Sequence, residues 1–477
     1  MSEIIETDVC VIGAGSGGLS VAAGASQMGA RTVLIEKGAM GGDCLNYGCV
    51  PSKALIAAAR EAQGRREAGR FGLDAPAPTI DMARVAEHVR GVIAAIEPND
   101  SQERFEGLGV QVIRAEARFT GPQEVQAGDA RVRAKYFVIA TGSSPFVPPI
   151  PGLDGVPYLT NETLFDLDEP AGRLIVVGGG PIGLEMAQAH RRLGAQVTVV
   201  EAARLMGKDD PEAAAVVLER LRAEGVVLRD GAKAARVETA DDGAIRLTVE
   251  TEAGEETIVG DRLLIAVGRA ANVASLDLEK AGVAFDRRGV QVDAHLRTTN
   301  RRIFAIGDVA GGFQFTHMAG YHAGVVIRQM LFKMLWAKTD DRAVPWVTYT
   351  DPELAQVGLT EAQAVERFGE SAIRILRWGF EENDRAQAER DLHGFVKAIL
   401  DKKGRVLGAT IVGAHAGELL LPWSIMVQER LKIAKLASVI VPYPTRSEAS
   451  KRAAGSAFTQ ALFSERTRKI VRFLLRF

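Results

Sequence analysis

Residues 7–36 read TDVCVIGAGSGGLSVAAGASQMGARTVLIE. A short apolar strand leads into the pattern G-x-G-x-x-G, a helical segment follows, and a second apolar strand ends in an acid. In such a unit the glycines let the backbone approach a pyrophosphate, which lies on the helix N-terminus, and the acid accepts hydrogen bonds from a ribose. The stretch predicts a dinucleotide site. Its predicted binding residues are Gly13, Gly15, Gly18 and Glu36.

The same unit recurs at residues 174–201, where a strand leads into GGGPIG and a second strand again ends in an acid. The distance from first glycine to acid is 23 positions in both copies. Each copy is followed later by an apolar strand and a small-residue turn, VIATG and LIAVG. Two copies predict two doubly wound domains that bind two dinucleotides and pass electrons between them. The further predicted binding residues are Thr141, Gly142, Gly178, Gly180, Gly183, Glu201 and Gly268.

A pair of cysteines lies in residues 41–53, GGDCLNYGCVPSK, just before a helical pattern. Cα atoms five residues apart in an ideal helix are roughly 8–9 Å apart, whereas a disulfide needs about 4.4–6.8 Å. A Cys44–Cys49 bridge therefore requires a distorted first turn, which Gly48 and Pro51 favour. Because the helix dipole favours thiolate, a strained bridge there is easily reduced. The pair is predicted to be a redox couple.

With this motif the chain resembles the class I flavoprotein disulfide reductases, which include lipoamide dehydrogenase, glutathione reductase and mercuric reductase. The resemblance implies that the first copy of the repeat binds FAD and the second binds the nicotinamide. It also implies a second FAD signature at residues 299–308, TNRRIFAIGD. Lys53 is expected to pair with Glu185 near the flavin, where positive charge stabilises its reduced, anionic form. Further residues expected near FAD are Gly42, Gly307, Asp308 and His317.

The choice of nicotinamide depends on Glu201, since a carboxylate at this strand end accepts from the 2′-hydroxyl of NAD and repels a 2′-phosphate. NADH is therefore favoured. Arg204, three residues further on, could serve a phosphate, so NADPH stays possible.

The predicted fold class is α/β, with two Rossmann-like dinucleotide-binding domains and an α+β dimerisation domain. From residue 343 the pattern changes to a β-hairpin, GFVKAIL to RVLGATIVG, and to apolar residues at helical spacing. The resemblance implies a homodimer in which the last loop of this domain completes the partner's active site. The predicted segments are 1–157 and 276–342 for FAD, 158–275 for the nicotinamide, 343–465 for dimerisation, and a basic apolar tail at 466–477.

The last loop departs from the family pattern. Residues 441–448 read VPYPTRSE, whereas lipoamide dehydrogenase and glutathione reductase have H-P-T-x-S-E there. Tyr443 occupies the position of the acid–base histidine, while Glu448 matches the glutamate that orients it. With a reference pKa near 10 against about 6.5 for imidazole, a phenol is a poor general base. Inside the redox motif, Asp43 is expected to oppose thiolate formation unless it is paired.

Tyrosine at this position resembles mercuric reductase, where it helps to hold a metal ion between the thiols. The C-terminal cysteine pair and N-terminal metal-binding domain of those enzymes are not expected here, because the last cysteine is Cys49. No resident metal site is predicted. The expected catalytic residues are Cys44, Cys49, Lys53, Glu185, Tyr443 and Glu448.

The resemblance implies that NADH reduces FAD and that reduced flavin opens the disulfide, with Cys49 next to the flavin and Cys44 facing the substrate. The acceptor that follows is predicted to be a metal ion or a small oxidant such as hypothiocyanous acid, which needs little acid–base help. The alternatives are dihydrolipoamide dehydrogenase or another thiol–disulfide reductase and, from a different class, a flavin and disulfide redox sensor.

Composition limits the remaining possibilities. The net charge of −2, from 58 basic and 60 acidic residues, argues against a nucleic-acid partner. Three cysteines make no disulfide scaffold, and a lone reactive pair fits a reducing compartment. With no leader and no apolar run of about 18 residues, the chain is expected to be a cytoplasmic, soluble enzyme. The tail at 466–477 is expected to pack on its own dimer, with a membrane surface or partner as alternative.

Overall fold

The computed structural model describes residues 4–74 and 76–477 and divides into two compact units. The first combines Met1–Ala202 with Gly231–Thr339, and the second combines Ala203–Asp230 with Asp340–Phe477. Residues 203–230, which fall inside the segment predicted to bind the nicotinamide, thus belong to the second unit. No helix in the described ranges is both long enough and apolar enough to cross a membrane.

A seven-stranded sheet forms one half of the first unit. Its centre is parallel and buried, as the apolar strands of the first repeat predict. Strand Ile303–Ala305 pairs with strand Ala130–Ile139 in parallel, so residues far along the chain return to the first sheet. The strands, in sheet order, are Val110–Arg114, Thr32–Glu36, Ile4–Ile12, Ala130–Ile139, Glu124–Ala127 and Ala117–Gly121.

Helix Ser16–Gln27 packs against helix Thr316–Met330 through small residues. A Cβ added at Gly24 would lie 2.6 Å from Cδ1 of Ile327, and one added at Gly17 would lie 3.2 Å from Cβ of Ala319. Glycine at both positions therefore lets the helix that follows the first glycine loop lie directly on the later helix.

The second repeat builds another parallel sheet in the same unit. Within this unit its strands, in sheet order, are Gln196–Val200, Arg173–Val177, Arg262–Ile265 and Tyr158–Leu159. Helix Pro181–Arg192 follows the glycine loop. A three-stranded antiparallel sheet lies between the last two strands of the repeat in sequence: Lys233–Thr239, Ile245–Thr251 and Gly254–Gly260.

Smaller elements complete the first unit. Two short antiparallel pairs join Ser143–Pro145 to Arg269–Ala271 and Phe285–Asp286 to Gly289–Val290. The other α-helices are Gly42–Asn46, Cys49–Arg66, Met82–Ile96 and Gln102–Gly107. The 3₁₀ turns are Ala68–Phe71, Glu97–Asn99, Leu153–Gly155, Leu164–Asp166, Leu278–Ala281 and Gly307–Ala310.

The second unit has a five-stranded antiparallel sheet that contains the predicted hairpin, Phe395–Asp401 with Val406–Gly413. The other strands of the sheet are Pro345–Thr348, Glu353–Gly358 and Ile373–Gly379, and a short strand lies at Val227–Arg229. The helices are Pro211–Ala223, Glu361–Phe368, Asp384–Glu389, Ala416–Leu419, Leu421–Gln428, Ala434–Ala437, Ser447–Leu462 and Glu465–Leu474. The 3₁₀ turns are Asp341–Ala343, Glu370–Ala372 and Phe380–Glu382.

The apolar stretch at 417–440, predicted to be helical, is divided among three short helices. Leu421–Gln428 begins with a proline in its first turn, and Arg430 has a φ of 51°, which interrupts the helical path. Trp423 lies at the centre of the core of this unit and donates its indole N–H to Oγ of Ser450 at 3.0 Å. The buried donor is therefore satisfied.

A buried ion network holds helix Pro211–Ala223 to the sheet of the second unit. The ammonium of Lys397, on strand Phe395–Asp401, lies 3.1 Å from Asp210, 2.7 Å from Glu212 and 3.1 Å from Glu361. Asp210 also caps the helix by accepting from the amides of Glu212 and Ala213. The network thus joins Asp210 and Glu212, within residues 203–230, to the sheet of this unit.

Replacing Lys397 with Met is expected to lower the free energy of unfolding by about 3–5 kcal/mol, because Asp210 would stay buried without its cation. Chemical denaturation followed by circular dichroism measures the change. Lys233→Met is the matched control, since the exposed pair of Lys233 with Glu250 is worth about 0–1 kcal/mol. Equal effects of the two substitutions would contradict the role of the network.

Candidate functional site

The N-termini of the two repeat helices are open to a ligand. Gly15 and Gly180 are the N-cap residues of Ser16–Gln27 and Pro181–Arg192, and neither cap makes a side-chain hydrogen bond. A Cβ added at either glycine would meet nothing within 4 Å. The space beside the first turn of each helix is thus empty at these glycines, which fits the diphosphate of a bound dinucleotide.

Each helix is brought to its strand by a glycine that no other residue could replace. A Cβ on Gly18 would lie 1.8 Å from the carbonyl oxygen of Gly13, and one on Gly183 would lie 1.9 Å from that of Gly178. The two repeats therefore share the same close helix–strand contact. This contact places the open helix end directly above the end of the strand.

The two strand-end acids are held at the glycine loops. The carboxylate of Glu36 accepts from the amides of Ala14 and Gly38, both at 2.6 Å. In the second repeat, Glu201 accepts from the amide of Gly179 at 2.8 Å. The acids thus lie where the sequence predicts a ribose, and their contact with a ribose stays a prediction.

The later turns of the first unit meet around Asp308. Its carboxylate accepts from Oγ of Ser143 at 2.6 Å. Oγ1 of Thr141 donates to the carbonyl of Asn272 at 2.8 Å. The amide of Gly307 donates to Nδ1 of the buried His322 at 3.2 Å, so the ring of His322 orders this turn. Gly142 and Gly268 adopt the positive φ angles of 66° and 141° that favour glycine.

His317 is the second residue of helix Thr316–Met330 and stacks on Phe315, with ring centroids 5.1 Å apart. His317 directly follows Thr316, whose hydroxyl contacts the redox pair. A role of His317 in FAD binding remains a prediction.

The two cysteines lie on different helices. The sequence predicted instead that one distorted helical turn would hold both. Cys44 lies in Gly42–Asn46, whereas Cys49 begins Cys49–Arg66. Gly48 separates the helices with a φ of −129° and a ψ of −108°. The break brings together two sulfur atoms that a continuous helix would hold apart. Both cysteines are free thiols in the structure.

Gly42 connects this segment to the first dinucleotide loop. Its φ is +60°, and a Cβ added there would lie 2.7 Å from Cα of Gly15. The helix that carries Cys44 thus starts in backbone contact with the loop predicted to hold FAD.

The local hydrogen bonds divide the roles of the two thiols. A hydrogen bond from Cys44 lowers the pKa of Cys49 to about 6, with help from Thr316 and from the charge of Lys53. Oγ1 of Thr316 lies 3.2 Å from Sγ of Cys49. The same thiol–thiol bond, followed by burial, raises the pKa of Cys44, whose thiol also contacts Ser16. The directions of the two shifts favour the thiolate at Cys49 and the proton at Cys44.

Sequence reasoning missed the two hydroxyl groups, Ser16 and Thr316, that contact the thiols. Ser16 is one of the variable positions of the first glycine motif, and Thr316 precedes the histidine that drew attention to this segment. Only the fold brings them to the cysteines.

Lys53 and Glu185, which the resemblance paired, do meet. The ammonium lies 2.9 Å from the carboxylate of Glu185, which is buried, whereas Lys53 is partly exposed. The pair joins the helix that Cys49 begins to the helix of the second repeat. It holds the positive charge of Lys53 on the helix that Cys49 begins.

Asp43 is paired, so its charge is compensated only in part. Its carboxylate lies 2.9 Å from the guanidinium of Arg269 and accepts from the side-chain amide of Asn161 at 3.0 Å. Arg269 also donates to the hydroxyl and carbonyl of Ser143, both at 2.7 Å. The network thus ties the Cys44 helix to the Asp308 turn through Ser143. The sequence indicated the charge of Asp43 but not these partners.

The loop of the second unit gives Tyr443 a partner that the sequence did not predict. Its hydroxyl donates to the carboxylate of Asp384 at 2.9 Å, and this bond raises the pKa of the exposed phenol. Glu448 pairs instead with Arg452 at 3.1 Å. The arrangement is therefore not that of a histidine oriented by Glu448, because the tyrosine turns to Asp384 on helix Asp384–Glu389.

The same loop is anchored by Arg446. Its guanidinium contacts Glu389 and Asp391, each at 2.8 Å. Asn383 donates to the carbonyl of Thr445 at 3.0 Å. These contacts hold the loop to the segment that carries Asp384.

The site combines two helix N-termini that fit dinucleotides with a pair of thiols whose pKa values are shifted in opposite directions. These features are typical of a flavin- and nicotinamide-dependent disulfide oxidoreductase. A family model described as pyridine nucleotide-disulphide oxidoreductase matches residues 7–323, and the dimerisation domain of that family matches residues 344–454. The chain belongs to this family, whose enzymes bind FAD and use NAD(P)H. The predicted fold class and enzyme class are confirmed. The dimerisation domain indicates a homodimer.

Named relatives agree with this assignment. Mercuric reductase of Staphylococcus aureus is 35% identical over 451 residues, which cover 94% of this chain and 82% of the relative. Dihydrolipoyl dehydrogenase of Thermus scotoductus is 35% identical over 466 residues, 95% of this chain and 98% of the relative. A solved Cu(II) complex of the HOCl-induced flavoprotein disulfide reductase RclA from Escherichia coli is 30% identical, with a TM-score of 0.83 over 93% of this chain and 99% of that one.

Charge-transfer absorbance of the FAD-loaded enzyme with both cysteines reduced is expected to appear as pH rises through about 6, because Cys49, hydrogen-bonded by Cys44, becomes a thiolate there. Thr316→Val is expected to move this titration to higher pH, since a hydrogen bond to the thiolate is lost. Thr316→Ser, which keeps the hydroxyl, is the matched control. An unchanged titration in Thr316→Val would contradict the role of the hydroxyl.

Asp43→Asn is expected to move the same titration below pH 6, because the charge of Asp43 raises the pKa of Cys49. The asparagine retains an oxygen that can accept from Asn161. Asp8→Asn, which removes a carboxylate held by Arg31 away from the thiols, serves as the control for a general change in charge. A titration at higher pH in Asp43→Asn would show that the contact with Arg269 outweighs the charge itself.

Proposed function

We propose that the homodimeric enzyme passes electrons from NADH through FAD and the Cys44–Cys49 pair to a metal ion or a small oxidant. The observation that carries the proposal is the bond from Tyr443 to Asp384. It raises the pKa of a phenol that already titrates far above neutral pH, so the loop holds no acid–base group at the position of the family histidine. A dithiol substrate needs such a group, whereas a metal ion does not.

Bound FAD would accept hydride from the nicotinamide and reduce the disulfide by two electrons. The protein's own residues then set the state of the products. When the S–S bond breaks, Cys49 takes the form of a thiolate and Cys44 takes a proton, as their pKa values favour. Lys53, held by Glu185, keeps positive charge next to the redox helix.

The reduced pair can then serve the acceptor directly. Hg(II) binds the two sulfur atoms, and the proton of Cys44 passes to solvent. Two electrons pass from the sulfur atoms to the ion, which leaves as Hg(0), and the S–S bond forms again. With Cu(II), two ions would each take one electron. Among the described residues, no group of three or more His, Cys, Asp or Glu side chains is arranged to hold a metal ion. We propose that the metal is a substrate met by the thiols and by Tyr443 of the partner subunit.

Relatives support this choice of acceptor. Mercuric reductases share about a third of the sequence, and RclA has been solved as a Cu(II) complex. RclA is also described as HOCl-induced, which agrees with a role in oxidant stress. We further propose NADH as the preferred donor, because Glu201 lies at the second glycine loop, and a cytoplasmic location, because a reactive thiol pair needs a reducing compartment.

Dihydrolipoyl dehydrogenase is the second candidate. It is favoured by the 35% identity to the Thermus scotoductus enzyme over nearly the full length of both chains. Tyr443 is the residue that separates the two candidates, so a comparison of acceptors in the native enzyme and in variants of Tyr443 decides between them.

NADH oxidation by the FAD-loaded enzyme is expected to be fast with Hg(II) in excess thiol, Cu(II) or hypothiocyanous acid and slow with lipoamide. Tyr443→His is expected to raise kcat/KM for lipoamide at least about 100-fold, the usual contribution of general acid–base catalysis. Tyr443→Phe is the matched control, since it removes the hydroxyl but supplies no base. It is expected to leave lipoamide slow and to weaken metal reduction.

Native turnover of lipoamide at an ordinary enzyme rate of about 10 s⁻¹, with no gain in Tyr443→His, would establish the dihydrolipoyl dehydrogenase alternative. Slow turnover of every acceptor by an enzyme whose flavin is reduced by NADH would show that the acceptor belongs to a different class.

A further inference from the structure

Helix Glu465–Leu474 differs from the other long helices in having no buried residue. It begins at Ser464, whose hydroxyl accepts from the amide of Thr467, so its first turn is capped. It follows directly from helix Ser447–Leu462, whose last residue and the next, Phe463, are also exposed apolar residues. The helix is therefore well formed but has no core of its own.

Four of the six apolar residues at 466–477 lie on one face of this helix. Ile470 is three and four residues before Phe473 and Leu474, and Phe477 is four and three residues after them, whereas Val471 and Leu475 lie to the side of this strip. The four side chains of the strip are 50%, 57%, 61% and 97% exposed. The rings of Phe473 and Phe477 meet edge to face with centroids 5.6 Å apart. They form a continuous apolar strip that faces solvent.

Four of the five cations lie on the other side. Arg468, Arg472 and Arg476 are spaced by four and lie on one line, and Lys469 lies next to it, whereas Arg466, four residues before Ile470, lies at the N-terminal end of the apolar strip. Within the described part of the chain, none of the four has a carboxylate at ion-pair distance. Residues 466–477 hold five cations and no acid, whereas the whole chain has a net charge of −2, so the remainder carries −7. The positive charge is thus concentrated in this one segment.

We propose that helix Glu465–Leu474 lies on an anionic lipid surface, with its apolar strip among the acyl chains and its arginines at the headgroups. An apolar face bordered by cations is the pattern of helices that lie in the membrane interface. The helix has 10 residues, about 15 Å, which is half of what a membrane span requires. Its binding is therefore peripheral.

Charge selects lipid over a second copy of the same helix. Two such helices packed by their apolar strips would bring ten cations together without an acid from residues 466–477. Each anionic headgroup, in contrast, contributes favourably with a nearby Lys or Arg. Aromatic residues such as Phe473 and Phe477 anchor an interfacial helix through their apolar rings. The sequence alone favoured packing on the dimer, and this charge pattern argues against it.

The test is co-sedimentation of the FAD-loaded, full-length protein with vesicles of phosphatidylcholine alone or with about a third phosphatidylglycerol. Binding is expected only to the anionic vesicles and is expected to weaken at high salt. Arg468→Gln with Arg472→Gln should weaken binding about 30-fold, from roughly a factor of five for each cation. Phe473→Ser with Leu474→Ser should weaken it as well, because the apolar strip is lost.

Matched controls separate the helix from net charge. Arg84→Gln with Arg90→Gln removes the same charge from exposed positions of helix Met82–Ile96 and should leave vesicle binding unchanged. NADH oxidation should be unchanged in all variants, so the proposal and the proposed acceptor can fail independently. Sedimentation velocity of each variant measures the oligomeric state in the absence of lipid.

Three results would overturn the proposal. One is a wild-type protein that does not bind anionic vesicles at low salt. Another is binding that the Arg84 and Arg90 substitutions weaken as much as those at Arg468 and Arg472. The third is dissociation of the dimer in Phe473→Ser with Leu474→Ser, which would show that a second copy, rather than lipid, covers the strip.

Discussion

The first unit depends on two contacts in which a helix touches the strand before it with no side chain between. Gly18 and Gly183 make these contacts, and in both places a Cβ would overlap the carbonyl oxygen of the first glycine of the motif. Because the helix starts at that contact, its open amides stand at the end of a buried parallel strand. The acids, Glu36 and Glu201, reach the same loops from the next strand. Gly42 then rests on the first loop, so the position of the redox segment follows from the same contact.

Hydrogen bonds and nearby charges give the two thiols, Cys44 and Cys49, different pKa values and therefore different roles. Cys44 donates to Cys49, which lowers one pKa and raises the other. The surrounding groups act in opposite directions, since Lys53 and Thr316 favour the thiolate of Cys49 while Asp43 opposes it. Arg269 keeps Asp43 from acting as a free negative charge and also holds Ser143, which binds Asp308. A change at any of these groups should therefore be felt at the thiols.

The loop of the second unit departs from the family pattern at Tyr443. Arg446 and Asn383 hold the loop in place irrespective of which residue precedes Pro444. In this loop Tyr443 donates a hydrogen bond to Asp384, and Glu448 pairs with Arg452. The loop is anchored, but the residue at the position of the histidine is a phenol, and Glu448 is paired with another residue. The proposal of a metal ion or a small oxidant as acceptor rests on this difference.

The sequence by itself determined the two repeats, the redox pair, the hairpin of the second unit and the departure at Tyr443. These are local signals, because glycine spacing, strand length and turn residues depend on the backbone of a few neighbouring positions. Only the tertiary structure decided that the cysteines lie on two helices, that Thr316 and Ser16 contact them, and that Asp43 and Tyr443 have Arg269 and Asp384 as partners. Those partners come from distant segments, and side-chain hydrogen bonds and ion pairs across such distances leave no periodic trace in a single sequence.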